Sequence, residues 1–491
     1  MIQHLPALVF LIPFVTAVCI PLIGSRNPRR CRPIALVARL GMVGAAAANL
    51  WTILQHGEMR YSFGGWAPPG GIEWIADEAA CLTALALSAL SFLCLLYGGP
   101  IGNRTLGART VPYYTIVLLL VASLTGVIYA RDVFNVFVFL EVAALSGYAL
   151  VGIPGGRALV SAFRYLIMGA LGASFYLLGV GYFYAATGTL NMADLAQHMP
   201  SLLTSKAVIG GLSFMFIGLG IKMALMPLHG WLPDAYTDAP DAVSPLLAAL
   251  LTKVALLAWV RILFWVLGAG GGDRPVEVLT LVWGFGAVAA VGSSFMALTQ
   301  RDLKRMFAYG GLAHIGLALV AVGQGSKAGL AGGLFYLIND AVMQCALFML
   351  AGAFSFYHGV RTLDDLEQKS IRSPWLLGAL IIAAVSMIGL PPTGGFFGKW
   401  YIVLSAIEAR NYVAVGAVII TTLLTLAYFI RIFERIFRPA PQSPPLTTPQ
   451  AQQHLSLRVS LGGVSAAMVG LGLASDGVVR MLSHMADNLG I

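Results

Sequence analysis

The chain has 491 residues, of which 58% are hydrophobic and 10% are charged. Soluble domains average about 45–50% apolar and 25% charged residues, so this composition excludes a soluble multidomain enzyme and indicates a polytopic membrane protein. A net charge of +9 would suggest a nucleic-acid partner for a soluble protein. Here most of the basic residues fall in short loops between apolar segments, where they indicate orientation in the membrane, and we predict no nucleic-acid partner.

The apolar segments predict the fold class. A transmembrane helix needs about 20 mostly apolar residues, and we predict an all-α polytopic membrane protein of about 14 transmembrane helices on that basis. The predicted helices lie near residues 5–23, 34–54, 78–98, 111–130, 133–153, 162–187, 207–228, 242–266, 276–299, 304–323, 329–355, 374–404, 411–432 and 457–479.

The distribution of Lys and Arg among the loops predicts the orientation. The loop after the first helix carries Arg26, Arg29, Arg30 and Arg32, and every second loop from there on is also the more basic. Because Lys and Arg concentrate in cytoplasmic loops, we predict a bacterial inner-membrane protein with both termini on the non-cytoplasmic side.

Cofactor and metal motifs are missing from the sequence. The five cysteines form no Cys-x-x-Cys pair, and no His/Cys cluster has the spacing of a zinc or iron–sulfur site. Neither a dinucleotide fingerprint nor a P-loop is found. We therefore predict no cofactor and no bound metal, so any redox chemistry would depend on other subunits.

Five ionisable residues fall inside predicted helices: Lys222, Lys253, Lys399, Glu141 and Asp340. A charge at membrane depth costs at least about 2.5–3.5 kcal/mol on insertion scales, so each of them needs a reason. A structural salt bridge is one. Proton transfer is the other, since burial and neighbouring charges both change the proton affinity of such groups. We predict that Glu141 and Lys222 form a couple.

Two of these lysines lie beside prolines that interrupt a helix. Lys222 precedes Pro227 and Pro233, and Lys399 follows Pro391-Pro392. Broken helices in two corresponding halves are typical of inverted repeats that hold an ion path between them. The alternative is a pair of simple kinks.

Three motifs resemble those of the antiporter-like proton-channel family. This family comprises the large proton-pumping membrane subunits of respiratory complex I, the A and D subunits of Mrp-type sodium/proton antiporters, and related subunits of membrane-bound hydrogenases. Together with the segment 64–72, the chain most resembles the D-type Mrp protein or its hydrogenase counterpart. The motifs are Lys222-Met-Ala-Leu-Met-Pro-Leu-His229-Gly-Trp-Leu-Pro-Asp, Gln300-Arg-Asp-Leu-Lys304-Arg305 with His314, and Gly389-Leu-Pro-Pro-Thr-Gly-Gly-Phe-Phe-Gly-Lys399.

The resemblance implies a domain plan. Three N-terminal helices (residues 1–110) would precede two inverted five-helix repeats, at 111–266 and 276–432, each containing a broken helix. A cytoplasmic linker at 433–456 would then lead to the last helix and tail at 457–491.

The resemblance also implies roles for single residues. Glu141 would be the fifth-helix carboxylate and Lys222 its partner, while Lys253 would be the relay lysine of the eighth helix and Lys399 the exit-side residue of the broken twelfth. His229, His314, Asp340 and Gln344 would support the relay.

One segment departs from the family pattern. Members usually place a His at or beside Asn339 or Asp340, and a Lys at Gln344. A glutamine side chain cannot titrate, although it can orient water. We expect Asp340 to act as the titrating group here, or water to bridge the relay between Lys253 and Lys399.

The resulting prediction is a proton-translocating subunit of a multi-subunit cation (Na⁺)/H⁺ antiporter, with other membrane subunits as partners and protons, together with sodium, as the transported ions. One alternative is a proton-pumping subunit of a redox-driven complex of the hydrogenase or NADH/quinone oxidoreductase type. A partner in inorganic-carbon uptake is a related alternative. The last is a non-conducting assembly scaffold, which Gln344 would favour. By itself the chain shows no redox or hydrolytic site, so it would be an enzyme only as part of an oxidoreductase complex.

Overall fold

The computed structural model describes residues 4–269, 276–369, 373–438 and 454–489, and these are almost entirely helical. A short antiparallel hairpin, β1 (Met59–Ser62) and β2 (Glu73–Ala76), lies between the second and third helices. The helices are α1 (Leu5–Gly24), α2 (Cys31–His56), α3 (Glu78–Thr105), α4 (Thr110–Tyr129), α5 (Val133–Gly152), α6 (Arg157–Thr187), α7 (Met192–Leu202), α8 (Lys206–Lys222), α9 (Leu232–Asp238), α10 (Ser244–Arg261), α11 (Val276–Thr299), α12 (Leu303–Val322), α13 (Lys327–His358), α14 (Leu363–Gln368), α15 (Pro374–Ile388), α16 (Gly394–Glu408), α17 (Tyr412–Phe437), α18 (Leu455–Leu473) and α19 (Ser475–Asn488).

The prediction of an all-α polytopic membrane protein is confirmed. Within the described ranges, twelve helices are long and apolar enough to cross a bilayer. The other two predicted spans are each split, into α8 with α9 and into α15 with α16. Most of the predicted linker at 433–456 lies outside the described residues, and its first residues continue α17 as far as Phe437.

The most buried helices are α10 and α13, which lie at the centre of the bundle. All residues of α10 are buried, and so is α13 from Gly329 to Phe354. The peripheral helices α1, α2, α5, α6 and α17 instead expose large apolar side chains such as Val37, Leu145 and Ile419, as lipid-facing helices do. A charge on α10 or α13 is therefore enclosed by protein.

Both split helices end at carbonyl groups that a side chain satisfies. The indole of Trp231 donates to the carbonyl of Ile221 at 2.9 Å, beside the end of α8. At the end of α15, where Gly389 adopts a φ of +88°, the ammonium of Lys399 donates to the carbonyls of Met387 and Ile388 at 2.9 and 3.1 Å. Because the hydrocarbon region offers no water to free backbone groups, these donors allow the helices to break at membrane depth.

Connections predicted to share a side of the membrane contact each other. Asp302 forms a backbone bridge with Thr362 at one side. At the other side, Asp132 forms one with Asn191, and Lys327 forms an ion pair of 2.5 Å with Asp487. The alternation of sides along the chain is therefore the same in the structure as in the sequence-based prediction.

Glycines allow α11 and α12 to pack with their backbones in contact. A Cβ atom at Gly316 of α12 would collide with the backbone of Gly286 and Ala290 on α11, whereas a Cβ atom at Gly284 would meet nothing within 4 Å. Gly172 on α6 and Gly218 on α8 form a similar close approach. Small residues commonly permit such contacts between membrane helices.

We expect Gly316→Ala to lower the stability of the chain by about 1–3 kcal/mol, as overpacking in a close-packed interior does. Gly284→Ala is the matched control, because it adds the same methyl group to the same helix pair in open space and improves helix propensity. Thermal unfolding of both variants in one detergent measures the difference. Equal melting temperatures would show that the α11–α12 contact tolerates separation.

Candidate functional site

The first couple joins α5 and α8. The Nζ atom of Lys222, the last residue of α8, lies 2.6 Å from Oε1 of Glu141 on α5. The Lys222 side chain is 8% exposed and the Glu141 side chain 27%. Glu141 lies eight residues into the 20-residue helix α5, about 12 Å along its axis, so the couple is placed near the middle of the bilayer.

A second cluster lies inside the bundle, on α10, α12 and α13. Nζ of Lys253 lies 2.8 Å from Oδ2 of Asp340 and also donates to the carbonyl of Ala248 at 2.8 Å. The other carboxylate oxygen, Oδ1, lies 3.1 Å from Nδ1 of His314. None of the three ionisable side chains is more than 5% exposed. Asp340 is therefore the counter-ion of Lys253 and a hydrogen-bond partner of His314.

One nitrogen of His314 is left over. Nε2 is buried and has no hydrogen-bond partner in the described part of the chain, and the same holds for the hydroxyl of the neighbouring Tyr336. The two rings lie 5.4 Å apart between centroids. A buried polar atom of this kind normally has a protein or water partner, so the cluster retains an open hydrogen-bonding position.

Lys399 on α16 is buried, with 6% of the residue exposed. Its ammonium donates only to the two carbonyls at the end of α15. Among the residues that the structure describes, no carboxylate lies within ion-pair distance of it. Lys399 thus differs from Lys222 and Lys253, each of which has a carboxylate partner.

Gln344 lies one helical turn beyond Asp340 on α13 and is 1% exposed. With its amide oriented to satisfy both of its groups, it donates to the carbonyl of Phe307 and accepts from the N–H of Gly311, each at 3.2 Å. Those two backbone groups are four residues apart on α12, the spacing of one α-helical hydrogen bond. Gln344 therefore links α13 to the backbone of α12.

His229 lies in the turn between α8 and α9 and is only half-buried. Its ring is 6.0 Å from that of Tyr309, and its Nδ1 atom has no partner in the described residues. In that part of the chain, no hydrogen bond or ion pair joins His229 to Lys222 or to Lys253.

The sequence analysis assigned no role to a polar group at the end of the bundle beside α9. Lys304 forms an ion pair of 2.6 Å with Asp241 and donates to Ser244 Oγ at 3.1 Å. Asp234 forms ion pairs with Arg164 at 2.9 Å and with Arg305 at 3.0 Å. The available indication was the run of acidic residues from 234 to 241 beside the basic run from 301 to 305.

This group lines a cavity of about 620 Å³, whose walls include Asp238, Asp241, Asp302 and Lys304. Burial raises the pKa of Asp302 above its ordinary value, and the backbone N–H of Arg305, which its carboxylate accepts, offsets part of that effect. The cavity gives a polar route from the end of the bundle towards the start of α10.

Two further charges inside predicted helices were missed. Arg39 is buried and donates to the carbonyl of Val117 at 2.8 Å and to Ser91 Oγ at 3.2 Å. Arg261 lies on α10 and is also buried. Both positions fall inside predicted spans, so the same depth criterion that selected the lysines would have found them.

A model of the family described as NADH:quinone oxidoreductase/Mrp antiporter, TM, matches residues 130–425. The chain belongs to this family. The predicted resemblance is thereby confirmed, and the matched region contains all eight predicted site residues. It also contains both split helices.

Two relatives of the chain come from bacteria. The N-type protein of the NADH-quinone oxidoreductase of Desulforudis audaxviator is 42% identical over 439 residues, which are 89% of this chain and 87% of that protein. The D-type protein of the Na(+)/H(+) antiporter of Alkalihalophilus pseudofirmus is 28% identical over 495 residues, 99% of this chain and 97% of that protein.

Solved structures share the fold. A chain of the membrane-bound sulfane sulfur reductase, an archaeal respiratory membrane complex, superposes with a TM-score of 0.90 at 26% identity, covering 99% of this chain and 98% of that one. A chain of the Mrp complex from Dietzia sp. DQ12-45-1b superposes with a TM-score of 0.89 at 23% identity, covering 100% and 97%. The family fold therefore extends over the whole described chain.

The Lys253–Asp340 pair can be tested as a buried ion pair. Removing one partner leaves an uncompensated charge and typically costs about 3–5 kcal/mol, whereas replacing both partners by apolar residues costs much less. We expect Asp340→Leu to lower the unfolding temperature strongly, and Lys253→Met/Asp340→Leu to recover much of the loss. Additive losses in thermal unfolding would mean that the two side chains are not coupled.

Proposed function

We propose that the chain is a proton-translocating membrane subunit of a multi-subunit complex, in which protons pass along Glu141, Lys222, Lys253, the Asp340 and Gln344 region, and Lys399. The observation that carries this proposal is the ion pair of 2.6 Å between Glu141 and Lys222 near the middle of the bilayer. An isolated structural charge has no need of a row of similar groups beside it. Four helices of this chain bear such groups at the cost of inserting each of them.

The Glu141–Lys222 couple supplies a mechanism for coupling. While the pair is closed, the carboxylate compensates the ammonium. When Glu141 moves away, the uncompensated charge of Lys222 acts on the next cation in the row. Two unit charges about 10 Å apart interact by roughly 1.7 kcal/mol at an effective dielectric constant of 20, which changes a proton affinity by more than tenfold. Opening the couple therefore favours release of a proton from Lys253.

The second cluster would receive and pass on that charge. Asp340 holds Lys253 on one carboxylate oxygen and His314 on the other. A change in the Lys253 charge is therefore felt by the imidazole through a single carboxylate. In the described residues no hydrogen bond connects this cluster to Lys222 or to Lys399, so protons between the groups would travel through water or with side-chain movement. The unpartnered His314 Nε2 is a suitable contact for such water.

Gln344 takes a structural role in this scheme. Its amide is occupied by the backbone of α12 and cannot titrate. We propose that Asp340 supplies the titrating group that relatives have elsewhere on this helix. Lys399, which has only carbonyl partners, would be the group that releases protons on the exit side.

The two-repeat arrangement at 111–266 and 276–432 is part of the same proposal. Its support is that each segment contains one split helix with a lysine beside the break, Lys222 on α8 and Lys399 on α16. In each case a side-chain donor satisfies the freed carbonyls.

The driving reaction has two candidates. The relative named for a Na(+)/H(+) antiporter covers nearly the whole chain and supports a cation/proton antiporter. The relative named for an NADH-quinone oxidoreductase is more similar, at 42% identity, and supports a redox-driven complex. Either assembly would supply other membrane subunits as partners. A non-conducting scaffold is disfavoured, because it would carry Glu141, Lys222, Lys253 and Lys399 without use for them.

We also propose the bacterial inner membrane as the location, with both termini on the non-cytoplasmic side. Arg26, Arg29 and Arg30 are exposed in the first connection, as the positive-inside rule expects of a cytoplasmic loop. The cavity beside Lys304 would then open to the cytoplasm.

Lys222→Ala and Glu141→Ala are each expected to abolish proton-coupled activity of the assembled complex, because either change removes the couple that drives the relay. Lys206→Ala, at the exposed opposite end of the same helix, is the matched control and is expected to behave like wild type. Proton flux is measured in vesicles with a pH-sensitive dye after the amount of assembled complex has been equalised. Wild-type flux in the Lys222→Ala complex would contradict the proposal.

Purification in mild detergent with mass identification of every accompanying chain separates the two driving reactions. Iron–sulfur or flavin subunits are expected for the redox-driven complex, and small membrane subunits alone for the antiporter. A zinc-binding soluble partner would indicate inorganic-carbon uptake, and recovery of the chain without partners would contradict membership of a complex.

A further inference from the structure

Three charged residues that the relay does not use meet at the end of the bundle opposite the Lys304 cavity. Asp77, at the start of α3, forms an ion pair with Arg131, which lies between α4 and α5. Its other carboxylate oxygen lies 3.6 Å from Nη2 of Arg261 on α10. Asp77 is 4% exposed, Arg131 2% and Arg261 1%. The cluster is therefore enclosed within the protein.

The cluster carries an excess positive charge, since two guanidinium groups share one carboxylate. Other nearby acids are engaged elsewhere. Glu73 accepts from the Asn191 amide at 3.4 Å and faces Arg60 at 3.9 Å, and Glu78 pairs with His484. Several guanidinium nitrogens of the cluster have no hydrogen-bond partner in the described residues. A guanidinium stays protonated at every physiological pH, so the excess charge is permanent.

The backbone offsets only part of this charge. Arg261 donates to the carbonyl of Ile128 at the end of α4, where the helix dipole amounts to about half a negative charge. One arginine would suffice to cap that helix and pair with Asp77. Stability therefore does not account for the second guanidinium, because an uncompensated buried charge is destabilising.

The position of the cluster relative to the relay suggests a purpose. Arg261 follows Lys253 on the same helix by eight residues, about 12 Å along its axis. The residues between them, 254–260, are all apolar and buried. A proton that leaves Lys253 towards this end of the bundle thus meets a dry apolar layer and then two permanent positive charges.

We propose that Arg131 and Arg261, held at Asp77, form an electrostatic barrier that closes this end of the first half of the chain to protons. Positive charges in a constriction exclude protons and other cations from membrane pores in the same way. The barrier rests on the proposed function, since it confines to the lateral row the protons that the relay carries. Its own contribution is to prevent a leak that would dissipate the gradient.

Two substitutions that break the same ion pair distinguish a barrier from a structural link. Arg261→Gln neutralises the excess charge, while Asp77→Asn increases it and keeps an acceptor for the N–H of Ala80 at the start of α3. A barrier predicts that the passive proton leak of the assembled complex rises about tenfold in Arg261→Gln, the effect of one unit charge about 10 Å away at an effective dielectric constant of 20. It predicts no rise in Asp77→Asn.

The measurement uses the purified complex in proteoliposomes, with the membrane potential clamped by K⁺ and valinomycin and no driving substrate. Arg131→Gln is expected to leak like Arg261→Gln, and Arg261→Lys to remain tight. An equal leak in Asp77→Asn, or no leak in either glutamine variant, would overturn the proposal. Failure of both glutamine variants to assemble would also overturn it, because the cluster would then be structural.

A double variant separates this inference from the function beneath it. Arg261→Gln/Lys222→Ala is expected to leak less than Arg261→Gln, because the leak draws protons from the relay. If Lys222→Ala alone abolishes flux but Arg261→Gln does not leak, only the barrier is wrong. If Lys222→Ala leaves flux unchanged, the relay itself is wrong.

Discussion

A buried charge in a membrane protein is stable only where the protein supplies the partner that water would otherwise provide, and this constraint organises the interior of the chain. Lys222 has a carboxylate on a neighbouring helix, and Lys253 has a carboxylate and a carbonyl. Lys399 has two carbonyls that exist as free acceptors only because α15 ends beside it. The helix break and the lysine stabilise each other, since neither would be tolerated in the bilayer alone.

The three lysines are consequently held with different strength. Those with a carboxylate partner can be switched by moving that partner, whereas Lys399 depends on backbone groups that stay in place. Asp340 makes the middle of the row a closed salt bridge with an attached imidazole, and Gln344 next to it is committed to the backbone of α12. The departure from the family pattern thus changes which group titrates and leaves the row of charges continuous along α10, α12 and α13.

Much of this arrangement is readable from the sequence. Hydropathy predicts the spans, prolines predict the two split helices, and depth within an apolar segment identifies Glu141 and the lysines. The partners of those groups are not readable in the same way. That Asp340 faces Lys253 depends on how closely α10, α12 and α13 pack, and close approaches such as Gly316 against Ala290 are set by the tertiary fold. Arg131 and Asp77 lie just outside predicted spans, where a charge is expected to be solvated, so their burial is visible only in three dimensions.

The first half of the chain is asymmetric across the membrane. One end has a polar cavity lined by charges of both signs beside Lys304, which water and protons can enter. The opposite end has apolar residues and then an excess of positive charge at Arg131 and Arg261. A proton that enters at the cavity therefore encounters low resistance up to the middle of the bilayer and high resistance beyond it. With the direct route closed, the easier path runs sideways through Asp340 and His314, and it is this difference in resistance that allows movement of the Glu141–Lys222 couple to perform work.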